Sequence, residues 1–234
     1  MSGGDKVRNP LGGFLTRLGG HRQAEGERPV TSSRRDAEDG IVVASKALHK
    51  FLTYLAGRPS PVLLDLGPVV GSNVTFFGEQ LNCKVYIEDI FADLDRHLRD
   101  NKIEQFPDFL AKRFSLGDGS VDGVLLWDLL DYLDRASAQA LAPKLVQLMR
   151  PDGALLGFFG TAAQSGKGFT KFVVVDEEHM RHRPYPSLSV RQRSPQNRDI
   201  IKMFDGLRVS DSFLLQNNLR EILFRKGGGG RPII

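Results

Sequence analysis

The stretch Val62–Asn73 reads VLLDLGPVVGSN. Its first half is a short apolar run closed by glycine, the pattern of a strand buried on both faces. Gly67 and Gly71 follow four residues apart, where a missing side chain lets the backbone turn sharply or lets a ligand approach it. GSNVTFFGEQLN then reads as a helix, and a second strand, CKVYIED, ends in the acidic pair Glu88 and Asp89.

Working outward, the rhythm continues. FADLDRHLRDN is helical, VDGVLLWDLLDYL is a strand running into polar residues, SAQALAPKLVQLMRPDG is a helix stopped by Pro151 and Gly153, and ALLGFFG is another strand. Strands alternating with helices imply parallel pairing through right-handed crossovers, so the predicted fold is a doubly wound α/β sheet. Upstream, IVVASKALHKFLTYLAG is predicted as one helix from Ile41 to a stop at Gly57, with His49 on its outer face. Downstream, a helix over about Pro195 to Phe204 leads to LRVSDSFLLQ and LREILFRK, two strand-like runs joined by Asn217 and Asn218. Those two residues tolerate left-handed backbone, which predicts a β-hairpin and hence an antiparallel strand at the end of the sheet.

The chain of 234 residues has room for one domain with a sizeable core. Its predicted organisation is a tail over residues 1–38, a single α/β domain over 39–226 with an insertion at 166–193, and a glycine-rich end at 227–234. The first 38 residues bury too little apolar surface to offset chain entropy and read as disordered. Within them Leu11, Phe14, Leu15 and Leu18 fall at helical spacing, but the surrounding glycines oppose an isolated helix. No apolar run approaches the ~20 residues of a membrane-crossing helix, and no secretory leader is visible, so the sequence predicts a cytoplasmic protein.

Cys83 is the only cysteine, which excludes an internal disulfide or a multi-cysteine zinc site and reads as a buried thiol. The net charge of +4 is unevenly spread: residues 161–234 carry thirteen basic against seven acidic side chains. A basic last third suits an anionic substrate or a nucleic acid, and equally a solvated face. Dinucleotide binding through GxGxxG is excluded by the spacing Gly67, Gly71, Gly78, and no GxxxxGK[ST] phosphate loop is present.

From Val62 to Lys226 the chain resembles the class I S-adenosylmethionine-dependent methyltransferases. DLGPVVG resembles the family's acidic-then-glycine loop, IED its ribose-binding acid, SVDGVLLWDLLDYL the segment ending at the active-site mouth, and LMRPDGALLGFF its following helix, turn and fifth strand. The resemblance implies a seven-stranded, mostly parallel, Rossmann-like sheet closed by an antiparallel hairpin. It implies S-adenosylmethionine as cofactor, with Gly67 and Gly71 beside its methionine part, Asp65 orienting the amino group, Glu88 or else Asp89 on the ribose hydroxyls, and Phe114 or Asp108 near the adenine. Trp127 and Asp128, after the fourth strand, would face the substrate, with Asp128 the candidate base. Val69 departs from the family, which has a further glycine there.

The implied activity is methyl transfer by in-line displacement, which asks mainly for alignment and exclusion of water. The segment FTKFVVVDEEHMRHRPYPSLSVRQRSP supplies Arg181, His182, Arg183, Arg191 and Arg193 around Tyr185. Arg181, Arg183 and Tyr185 suit recognition of an anionic acceptor or stacking on a base. Asp176, Glu177, Glu178, His179 and His182 lack metal-ligand spacing, so no metal is expected. Two other readings stand beside the enzyme: a lapsed methyltransferase fold acting as a binding module, motivated by Val69, and a nucleic-acid binder using the basic last third.

Overall fold

The computed structural model describes residues 40–161, 167–192, 196–215 and 217–228. The tail 1–38 with its Leu11–Leu18 pattern, Arg193, and most of the C-terminal end lie outside the described residues. Element order is β1 (Ile41–Ala44), α1 (Lys46–Ala56), β2 (Val62–Asp65), α2 (Gly71–Thr75) continued by a π-helical turn (Phe76–Gln80), β3 (Lys84–Ile87) and α3 (Ile90–Arg99). A 3-10 turn and α4 (Phe106–Lys112) precede β4 (Val121–Trp127), a second 3-10 turn (Leu129–Tyr132), α5 (Arg135–Leu148) and β5 (Met149–Gly160). The last third holds β6 (Lys167–Val174), β7 (His179–Val190), α6 (Asn197–Met203), β8 (Leu207–Leu214) and β9 (Leu219–Lys226).

The main sheet has six described strands in the order β3-β2-β4-β5-β9-β8. β3, β2, β4 and β5 run parallel, while β9 pairs antiparallel with both β5 and β8. β4 is buried along its whole length and its side chains alternate between two cores. Val124 and Leu126 pack with Leu64, Leu155 and the helices α3 to α6, whereas Leu125 and Trp127 pack with Leu63, Leu156 and α1. Gly123 is needed where α1 crosses β4: a Cβ there would stand 2.9 Å from Phe51 and from Leu55.

Three expectations are corrected. The seventh strand is not found among the described residues, because RFSLGDGS between α4 and β4 offers no β-branched run and its Arg113 turns inward to Glu88 and Asp93. The helix predicted from Ile41 begins instead at Lys46. Ile41, Val42 and Val43 are β-branched or follow the strand pattern, and Ser45 caps the helix by accepting from the Leu48 N–H at 3.1 Å, so the apolar spacing of Leu48, Phe51, Leu52 and Leu55 is the true helical register. Glu221 of β9 completes that cap, accepting from Ser45 Oγ and from the backbone N–H groups of Lys46 and Ala47 at 3.0 and 3.2 Å.

Third, the inserted basic segment, for which no strand is predicted, forms a β-ribbon. β6 and β7 pair antiparallel, and β1 adds to β7 with Ile41 opposite His182 and Ala44 opposite His179, giving a separate three-stranded sheet in the order β1-β7-β6.

Candidate functional site

In a parallel sheet the carboxyl ends of the strands form the binding edge. The β6–β7 ribbon lies over this edge and is fastened at three points. Asn73 of α2 bonds the backbone of β6 on both sides, donating to Phe172 O and accepting from Val174 N, each at 2.8 Å. Asp95 of α3 accepts from the hydroxyls of Ser187 and Ser189 at 2.8 and 2.6 Å. Phe169 sits on Phe91 with ring centroids 4.5 Å apart.

Under the ribbon, Asp65 ends β2 almost fully buried. Its Oδ1 accepts from Gly67 N at 2.9 Å and from the Trp127 indole N–H at 2.6 Å, while burial pushes its carboxyl up to about 6. Trp127 has a left-handed backbone, φ 53°, which turns its ring back across Gly67. A Cβ on Gly67 would stand 2.6 Å from that indole. The ring then stacks on Phe172 of the ribbon at 5.2 Å, and Phe172 on Phe158 at 4.8 Å.

Glu88 follows β3, its backbone N–H donating to Asp65 O at 2.8 Å, so the acid and the glycine turn are neighbours. Its carboxylate is paired with Arg113, which also bonds Asp93 at 2.8 Å. Asp89 caps α3 by accepting from Ala92 N at 2.9 Å; burial raises its carboxyl, and Lys171 of the ribbon opposes that rise. Gly71 opens α2 with no atom within 4 Å of where a Cβ would be. Val69 is 62% exposed.

Phe114 is buried in the same core as Phe106 and Leu110, and Asp108 is exposed on the first turn of α4. Arg181, Arg183 and Tyr185 share one face of β7, opposite Val173, Lys171 and Phe169. Lys171 Nζ lies 3.6 Å from the Tyr185 ring centre. Asp128 is fully buried and bonded by Arg191 Nη2 at 2.6 Å, with burial pushing its carboxyl up to about 7 against the pull of Arg191. The ribbon thus brings a chain-distant arginine to the end of β4.

Sequence reading missed Arg113, Asn73, Asp95 and Glu221. Only Ser45 upstream of Leu48, a helix-capping pattern, could have signalled Glu221's neighbourhood. Cys83 is buried, its thiol pushed up to about 11, as an unreactive core residue would be. Among the described residues no group of three His, Cys, Asp or Glu side chains could hold a metal, and no helix is long and apolar enough to cross a membrane.

The fit of S-adenosylmethionine can be tested on these contacts. Glu88, paired with Arg113, and Asp89, the cap of α3, are the acidic side chains at this edge, and Gly71 leaves open space at the start of α2. Gly67 does not fit as a seat for the methionine part, because the indole of Trp127 takes that space.

No protein-family model matches the sequence, and no curated protein matches it. Among solved structures the chain is similar to the PH0226 protein of Pyrococcus horikoshii, at 14% identity, covering 84% of this chain and 92% of that one with a TM-score of 0.47. It is also similar to the CcbJ methyltransferase of Streptomyces caelestis, at 14% identity, covering 79% and 91% with a TM-score of 0.45. A third is the Burkholderia thailandensis 1,6-didemethyltoxoflavin-N1-methyltransferase with bound 1,6-didemethyltoxoflavin and S-adenosylhomocysteine, at 15% identity, covering 84% and 81% with a TM-score of 0.43.

Proposed function

We propose that this chain is an S-adenosylmethionine-dependent methyltransferase. One observation carries the reading: the glycine turn after β2 and the acid after β3 are joined by the Glu88 N–H to Asp65 carbonyl bond, at the carboxyl edge of a sheet whose last strand pairs antiparallel. Glu88 is the ribose acceptor, with Asp89 as its neighbour, and a charged acceptor there makes hydrogen bonds roughly twice as strong as neutral ones. Gly71 lets the cofactor approach the start of α2. Trp127 is a wall of the site, held flat by Asp65 and Phe172. The bound cofactor supplies an electrophilic methyl group, and the chain's part is to align the acceptor and exclude water, which the ribbon over the crevice does. Asp128 is the candidate base, and the face of Arg181, Arg183 and Tyr185 the candidate acceptor surface.

Calorimetric titration with S-adenosylhomocysteine tests this. Binding that weakens about tenfold in Glu88→Gln, the loss of one charge-assisted bond pair, supports the reading; no heat at millimolar ligand overturns it. The overturned outcome favours a second reading, a binding module on the same scaffold, for which the observation is that Trp127 covers Gly67 and Arg113 neutralises Glu88.

A further inference from the structure

At the end of β4 a buried ion pair is incomplete in a specific way. Arg191 Nη2 bonds Asp128 Oδ2 at 2.6 Å, but the other arms of both groups are buried and without hydrogen-bond partners: Asp128 Oδ1 on one side, Arg191 Nη1 on the other. Asp131 Oδ2 forms an ion pair with Nη1 at 3.4 Å without hydrogen-bond geometry, and accepts from Gly160 N at 2.7 Å. Tyr132 OH touches Asp128 Oδ2 and Arg191 Nη2 at 3.4 Å each. A buried acceptor and a buried donor left without hydrogen bonds in one ion pair are costly, and buried polar groups normally find partners.

The chemistry of the two open atoms restricts what completes them. A carboxylate or phosphate would meet Asp128 and Asp131 together and be repelled. An ammonium has no lone pair for Arg191. A hydroxyl donates its hydrogen to the carboxylate and accepts the guanidinium N–H with its oxygen. One ring lies against the pair: Arg191 is over Tyr132 at 5.3 Å, and Tyr132 in turn packs edge-on to Phe91. Arg191 is followed by the exposed Gln192, whose N–H donates to Asp131 O at 2.6 Å, so the pair lies under the strand end that closes it.

We propose that Asp128 Oδ1 and Arg191 Nη1 form a subsite for an aromatic hydroxyl group, and that a phenol-like hydroxyl is the methyl acceptor; the second half rests on the methyltransferase reading, the first does not. In the subsite the O–H bond breaks and a carboxyl O–H forms on Asp128, while the oxyanion left behind faces the Arg191 guanidinium. The groups that set this exchange are Asp131, Tyr132 and Arg191, all packed against Asp128; burial keeps its carboxyl able to take a proton near neutral pH.

The test is titration of the full chain with 4-nitrophenol, by calorimetry and by the absorbance of its ionised form, beside nitrobenzene, which lacks the hydroxyl. The expected result is binding of 4-nitrophenol at least about tenfold tighter than nitrobenzene, with the bound form ionised. Asp128→Asn should abolish the ionised band, and Arg191→Lys should weaken it. Equal affinity for the two probes, as expected if only a water fills the gap, overturns the proposal, as does no binding by the unaltered chain. S-adenosylhomocysteine titration on the same sample separates the two ideas. Nitrophenol selectivity without nucleoside binding leaves the subsite and removes methyl transfer; nucleoside binding without selectivity does the reverse.

Discussion

The indole of Trp127 donates to Asp65 Oδ1 at 2.6 Å while its ring lies against Gly67, two residues beyond that same aspartate. One side chain therefore both satisfies a buried carboxylate and demands a glycine. Gly67→Ala is expected to destabilise the fold by about 1–3 kcal/mol through overpacking against a rigid ring. In a double-mutant cycle with Trp127→Ala the two losses should be markedly less than additive. Additive losses in urea denaturation would show that the contact is not shared.

Asp65 and Asp128 are held above their ordinary 3.8, at about 6 and about 7, chiefly by burial. A carboxyl raised in the fold stabilises fully below its unfolded value, and that stability is lost as pH rises through the folded value. Between about pH 4 and 7 these two groups make the fold less stable. Asp128→Asn should flatten the upper part of that fall relative to the unaltered chain, read from urea midpoints across the range. An unchanged slope would mean that Asp128 ionises in the fold at its ordinary value.

His182 runs the other way. Buried among Phe158 and Phe172, and touching Asn217 at 3.1 Å, it is lowered from 6.5 to about 4 by burial. A depressed group contributes stability above its unfolded value and loses it as pH falls. The His182 ring resonance should stay that of a neutral imidazole down to about pH 5, whereas His182→Phe should remove part of the acid-side loss between 6.5 and 4. Titration near 6.5 by NMR would contradict the buried placement.

Asn73→Ala cuts both bonds that fasten α2 to β6 and leaves two buried backbone groups of the ribbon without partners. The expected cost is about 2–4 kcal/mol, with faster amide exchange at Val174. Protection unchanged at that position would mean that the ribbon is secured elsewhere.

Much of the fold is legible in the chain because period and punctuation agree. VLLDLG, KVYI and VDGVLLW are read as strands from their apolar runs, and Gly71 opens a helix as expected. Ile41 to Ala44 misled because three β-branched residues and an alanine continue smoothly into a helical pattern, and only Ser45 marks the break. The ribbon misled for another reason: HMRHRPYPSLSV alternates charge and ring, which describes an exposed loop as well as a strand until its partner strands are known. Arg113 and Arg191 could not be placed at all, since each meets its carboxylates through tertiary packing with no local signal. The candidate site was legible in its acids and glycines, and illegible in the cations that face them.

Ser45 meets Glu221 across 176 positions of sequence, and β1 finds β7 across 141, from Ile41 to His182. During synthesis α1 therefore leaves the ribosome with its first turn unfinished, and stays so until the distant β9 has been made. Contacts of such separation slow folding. A nascent or truncated chain ending before Leu219 would keep an open helix end and an unpaired edge strand, both ready targets for chaperones and proteases.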